Sequence, residues 1–268
     1  MTDVDPPFDG GYSLEPVAPL HLPSLPGLVE APEGGEDLID LLTADLLAQA
    51  LDCSHRYGEF HLALSTGEGL EPLFRRMMFD PDLRLFPWHR THLWFVEERR
   101  VPRGDPRSSF ARMRDILVMP AGIPLHQVHA ISGDQRNADQ VLEQRLRSTL
   151  NERARGAGCL DCAILDVAVD GRIGAMFPGE DTAEERHRWV RLTGHHVGQD
   201  PGWISCTLPV LNAARMIAVV VQGDAVGTAL HRMVDSPPPP RSFPAAGLRS
   251  GKGLLKWYFD RSAAGGPA

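Results

Sequence analysis

This sequence has too little cysteine for a disulfide scaffold: Cys53, Cys159, Cys162 and Cys206 are the only four in 268 residues. Cys159 and Cys162 form a lone C-x-x-C, and no second such pair exists to complete a four-ligand zinc site. No metal or cofactor is therefore expected, and Cys162 reads as an apolar residue opening a buried strand. Basic charge is also short, with 27 Lys and Arg against 35 Asp and Glu and a net charge of -8. An acidic surface repels phosphate backbones and anionic lipid, which excludes nucleic acid and anionic membranes as partners. No apolar run approaches the length of a membrane span. The N-terminus lacks a basic stretch followed by an apolar run, so no secretory signal is expected and the cytoplasm is the default location. Internal repeats are missing too, which excludes a solenoid.

What remains is an ordinary globular composition, 43% hydrophobic and 23% charged, enough to form a sizeable core. Residues 1–35 are rich in Pro, Gly and acids and read as an extended or disordered arm, with a packed domain over 36–268. Leu38, Leu41, Leu42, Leu46, Leu47 and Ala50 recur at helical spacing, predicting a helix over 36–57 that Gly58 stops. Apolar runs predict strands at Phe60–Ser65, Thr91–Val96, Val128–Ile131, Cys162–Val169, Trp189–Leu192, Ile204–Leu208, Ile217–Val221 and Leu254–Phe259. Helices are predicted between them near 70–78, 108–117, 139–153 and 224–234. Strands alternating with helices imply an α/β fold with a mainly parallel sheet covered on both faces. Ser236–Pro240 (SPPPP) reads as a stiff surface loop.

Local motifs carry the reading further. Leu62–Phe74 (LALSTGEGLEPLF) is similar to the pattern LALSGGSTPxxLY of the 6-phosphogluconolactonase family. Trp94–Pro102 (WFVEERRVP) resembles its FWGDERxVP, and Ser108–Leu117 (SSFARMRDIL) its SNyxxaxexL. Leu165–Pro178 (LDVAVDGRIGAMFP) looks like LGMGxDGHTASLFP, Ile204–Ala214 (ISCTLPVLNAA) like ITLTLPVLNxA, and Trp257–Asp260 (WYFD) like the closing WxxD. Six motifs in the family's order cover roughly residues 36–262. The resemblance implies a Rossmann-like sheet shared with glucosamine-6-phosphate deaminases and ribose-5-phosphate isomerases. It implies metal-free opening of a phosphorylated sugar lactone in the pentose phosphate route. The run FPWHRTHLWFVEERRVP resembles the lactonase half of a bifunctional dehydrogenase of the endoplasmic reticulum, so a lumenal location is the alternative if the chain is cut from a larger precursor.

In the family, the histidine of the DGH motif is thought to act as general base, and the Gly-rich loop to hold the substrate phosphate. Here Asp170 and Gly171 are kept, but Arg172 stands at the histidine position. A guanidinium has no free lone pair at neutral pH and cannot take the proton. In the phosphate loop Ser65 and Gly67 remain, while Thr66 replaces a glycine and Glu68 puts a carboxylate beside the expected phosphate. Trp203 and Val226 stand where the family has basic residues, and Asp166-Val167-Ala168 replaces Gly-x-Gly. Arg99 survives from the DER-like motif. The resemblance thus assigns ligand contacts to Ser65, Gly67, Glu68, Arg99, Gly171 and Trp203, and the catalytic turn to Asp170 and Arg172.

Three functions follow as expectations. The first is a lactonase-fold protein without lactone turnover, kept for binding a sugar-phosphate-like molecule or a protein partner. The second is a working lactonase on a rebuilt site, with His195, His196 or a carboxylate as base. The third is another sugar-phosphate isomerase or deaminase. His89, His92, His126 and His129 read as surface or core-edge residues, and Glu97–Arg100 as a solvated charge run.

Overall fold

A computed structural model describes residues 20–32, 37–153, 158–194 and 201–265. Six strands form one parallel sheet: β1 (Leu28–Glu30), β2 (Phe60–Leu64), β3 (Thr91–Phe95), β5 (Cys162–Asp166), β8 (Met216–Val221) and β9 (Leu254–Phe259). Their order across the sheet is β1-β9-β8-β5-β2-β3. A smaller antiparallel sheet joins β4 (Glu97–Arg99), β7 (Trp203–Cys206) and β6 (Val190–Thr193) in that order.

Strand period explains how the large sheet is buried on both faces. Ala63, Trp94, Ala163, Leu165, Ile217, Val219, Leu255 and Trp257 point to one side. There they meet Leu142, Leu146 and Leu150 of α4 (Ala138–Asn151) and Leu230 and Met233 of α6 (Asp224–Asp235). The alternating set, Leu62, Leu64, Phe95, Cys162, Ile164, Ala218 and Tyr258, points the other way. It packs on Leu42 and Leu46 of α1 (Leu38–Tyr57), on Leu73 and Phe74 of α2 (Glu71–Phe79) and on Phe110 of α3 (Ser109–Met113). Asp37 begins α1 through a capping box with Asp40, and Gly58 ends it in the left-handed region at φ 86°. A four-residue helix, α5 (Leu208–Leu211), follows β7.

The parallel α/β class read from the sequence is the one observed. Three elements differ. Val128 forms a single bridge to Leu93 in place of a strand, because Pro124 and a tight turn at 125–127 shorten the extended segment. Glu97–Arg99 is a strand, and its acids are buried where a solvated run was expected. Residues 28–30, assigned to the arm, form the sheet's edge strand, with Leu25 buried beside them. Trp257 Nε1 donates to Pro26 O at 2.9 Å, fastening this stretch to the core. Among the described residues no helix is long and apolar enough to cross a membrane.

Candidate active site

Chain order reverses between β2 and β5: from β2 the chain moves outward to β3, and from β5 it moves the other way to β8 and β9. In open parallel sheets such a reversal leaves a crevice at the carboxyl ends of the two strands. Here a cleft of about 390 Å³ opens at that point. The loop after β2 supplies Thr66, Gly67 and Glu68, and the end of β5 supplies Asp166. The antiparallel sheet contributes Glu97, Arg99 and Trp203; α3 and the segment before it contribute Ser109, Arg112 and Arg107. Arg172 and Phe177 close the remaining wall.

Glu97 organises the floor. Its carboxylate accepts hydrogen bonds from Thr66 N–H and Thr66 Oγ1 on one oxygen and from Ser65 Oγ, at 3.0 Å, on the other. Three donors of the expected phosphate loop are thereby engaged within the protein. Burial, reinforced by the charge of neighbouring Asp166, pushes the Glu97 carboxyl up to about 7. Asp166 is raised too, chiefly by burial, against the opposing pull of Arg172 and Arg112. Gly67 is glycine because a Cβ there would stand 1.9 Å from Asp166 Oδ2.

Glu98 points the other way and has a structural duty. It accepts from Ser108 Oγ and from the backbone N–H groups of Arg99, Ser109 and Phe110 at 2.8–3.2 Å. These bonds anchor the start of α3, and so place Ser109 and Arg112 on the cleft.

Five of the residues singled out from the sequence line the cleft: Gly67, Glu68, Arg99, Arg172 and Trp203. Arg99 stacks on Trp203, its Cζ 4.2 Å from the ring centre. Glu68 is exposed at the rim. Ser65, Asp170 and Gly171 stand outside the lining. Asp170 Oδ1 accepts the backbone N–H of Arg172 at 3.1 Å. Gly171 sits at φ 80° with Phe243 packed against it so closely that a Cβ would lie 2.3 Å from the ring. Asp170 and Gly171 therefore shape the turn that carries Arg172, whose Cζ lies 5.0 Å over the Phe177 ring. His195 and His196 lie outside the described residues. Arg107, Arg112 and Asp166 are cleft residues that the sequence reading did not assign to a ligand; Arg112 lies four residues after Ser108 in the motif already matched, the one signal available for it.

Elsewhere, Glu59, His61 and His92 bring three ligand-type atoms within 4.8 Å, the one such group among the described residues. Their hydrogen bonds oppose metal binding. Trp94 Nε1 donates to His61 Nδ1 at 3.1 Å, and an indole can only donate. The ring proton of neutral His61 therefore sits on Nε2, facing Glu59 Oε2 at 3.2 Å. That leaves His61 no lone pair for a cation. Burial holds His61 down to about 2, so it stays neutral, and holds His129, 2.9 Å from His92, down to about 3. The four cysteines are buried and unpaired, and burial raises each thiol.

These shifts have opposite signs in stability. Glu97 binds a proton more tightly folded than unfolded, so its contribution is lost as pH rises from 4.5 through about 7. His61 is the reverse: the unfolded chain takes up the proton, so stability is lost as pH falls below 6.5. Between pH 5 and 8 the parent chain should therefore lose stability relative to a Glu97→Gln variant, by about 2.5 kcal/mol from a shift of this size. Urea midpoints at the two pH values measure it, and parallel profiles would refute the assignment.

Residues 33–257 match the family described as glucosamine-6-phosphate isomerases/6-phosphogluconolactonase. The chain is 31% identical over 239 residues to the human GDH/6PGL endoplasmic bifunctional protein, covering 85% of this chain and 29% of that one. It thus spans under a third of the bifunctional relatives. It is 25% identical to the 6-phosphogluconolactonase of Haemophilus influenzae, over 76% of this chain and 85% of that protein. The solved 6-phosphogluconolactonase of Thermotoga maritima has the same fold, with a TM-score of 0.73 at 20% identity, over 87% of this chain and 99% of that one. A monomeric glucosamine-6-phosphate deaminase superposes at 0.71 and 16% identity, over 89% and 99%.

Proposed function

Given that the chain belongs to the glucosamine-6-phosphate isomerase/6-phosphogluconolactonase family, we propose that its cleft binds a phosphorylated six-carbon sugar or sugar acid and does not open lactones by an imidazole route. The observation that carries this reading is Arg172. It lines the cleft from the turn after β5, at the position where the family resemblance puts the general base. Four arginines face the carboxyls of Glu68, Glu97 and Asp166 on the lining, and burial favours the protonated forms of the last two, so the balance suits an anion. Turnover by the family's route needs a neutral acceptor within hydrogen-bond reach of the attacking water, and a guanidinium is never one. A protein partner that responds to the ligand-bound state belongs to the same proposal. So does a cytoplasmic location, with the endoplasmic reticulum as the alternative suggested by the human relative's name.

A second reading has one observation in its favour. Glu97 and Asp166 are buried carboxyls with raised proton affinity on the floor of the same cleft, the condition in which acids serve as general bases near neutral pH. On that reading the lactone is still hydrolysed.

Two measurements on the purified chain separate the readings. In a thermal-shift titration, 6-phosphogluconate should raise the melting temperature progressively with concentration. In a lactonase assay corrected for spontaneous opening, turnover should stay more than tenfold below a typical kcat of about 10 s⁻¹. Turnover near that value would overturn the inactive reading and leave the carboxylate one standing.

A further inference from the structure

Cations face the cleft from two sides. Arg172 stands on the wall made by the turn after β5, against Phe177, while Arg99, Arg107 and Arg112 come from the antiparallel sheet and the α3 region. Asp166 shares the lining with both groups and is close enough to Arg112 and Arg172 to feel their charges. The guanidinium groups of Arg112 and Arg172 have no ion-pair partner among the described residues. A lactone or a simple sugar phosphate is anionic at one end only, and would leave one of these walls unmatched.

We propose that the cleft selects a ring-opened sugar acid phosphorylated at the end far from its carboxylate, with Arg172 holding the carboxylate and the α3-side arginines holding the phosphate. This rests on the binding reading above. The division follows from charge. A phosphate carries up to two negative charges and suits a group of arginines, whereas a carboxylate is matched in charge and in fork geometry by one guanidinium. The hydroxyls between the two ends meet Asp166 on the cleft lining. A cleft of about 390 Å³ falls in the range that small ligands fill. The same arginine that removes a proton acceptor thus supplies a recognition element for the acid that lactone opening yields. A carboxylate offers the guanidinium fork two acceptor oxygens and a full opposite charge, where a lactone carbonyl offers one neutral oxygen, so the acid is preferred over its lactone.

Calorimetric titration of the full chain at fixed ionic strength tests this with four probes: 6-phosphogluconate, glucose 6-phosphate, gluconate and inorganic phosphate. We expect 6-phosphogluconate to bind at least about tenfold more tightly than either sugar charged at one end only. Arg172→Gln should cut that advantage to about threefold or less while leaving glucose 6-phosphate within about twofold of the parent value. Arg112→Gln should weaken both phosphorylated sugars and spare gluconate. Equal affinity for 6-phosphogluconate and glucose 6-phosphate would overturn the two-ended assignment and leave sugar-phosphate binding intact. A parallel loss of both ligands in Arg172→Gln, with an unchanged near-ultraviolet spectrum, would also overturn it. Absence of binding by all four probes would remove the binding reading itself, and this assignment with it.

Discussion

Arg172→His should open the phosphorylated lactone at least about 10²-fold faster than the parent chain, since a positioned general base contributes on the order of 10² to 10⁴. The geometry allows the exchange. Asp170 holds the turn through the main-chain N–H of residue 172, a contact indifferent to the side chain. Gly171 keeps its positive φ, and Phe177 offers an imidazole the same face it offers the guanidinium. The gain should stay at the low end of that range, because the Thr66 N–H and hydroxyl and the Ser65 hydroxyl remain bound to Glu97. The assay is lactone disappearance at pH 7.5 after subtraction of the spontaneous rate. If the variant still binds 6-phosphogluconate and hydrolyses the lactone no faster, the missing acceptor is not what silences the cleft, and the reading built on residue 172 falls.

The largest stability effect is expected at the opposite end of the sheet. Asp161, just before β5, is fully buried. It accepts the His61 backbone N–H at 2.8 Å and pairs with Arg153 and Arg215 at 3.0 Å each. The Arg153 side chain is only 2% exposed. Asp161→Asn would remove the negative charge that both guanidinium groups pair with and leave Arg153 charged in a site closed to water. Removing one partner of a buried pair costs roughly 3–5 kcal/mol, and at this chain length that is a fall of about 10 °C in melting temperature. Arg215→Gln should cost much less, because that side chain is 23% exposed and water can replace the pairing. Unfolding curves of the two variants measure the difference; equal small losses would show that the buried charge is not what the region depends on.

Much of this architecture was legible because apolar alternation writes both faces of a parallel sheet directly into the chain. Leu62 and Leu64 face one layer and Ala63 the other, and the same holds along β5, β8 and β9. The elements missed are those whose order comes from distant partners. Glu97 and Glu98 look solvated in a run of charges; the groups that satisfy them, Ser65, Thr66 and Ser108 to Phe110, lie elsewhere in the sequence. β1 is three residues long, too short to show a period, and is held by β9 more than 220 residues later. In the site, family likeness pointed to the loop after β2 and to Arg172. It was silent on Arg107 and Arg112, whose place on the cleft depends on how Glu98 seats α3.

The seam between β1 and β9 bears on how this protein is handled. Gly27 passes so near the Leu255 carbonyl that a methyl group would lie 2.2 Å from it, and Lys256 ties Glu30 to Asp45 across the join. Trimming the chain to residue 36, which composition invites, would strip this selvedge away. The unpaired backbone of Leu254–Phe259 would then be open to a strand from another molecule, and the cropped protein would tend to cluster where the longer one stays dispersed.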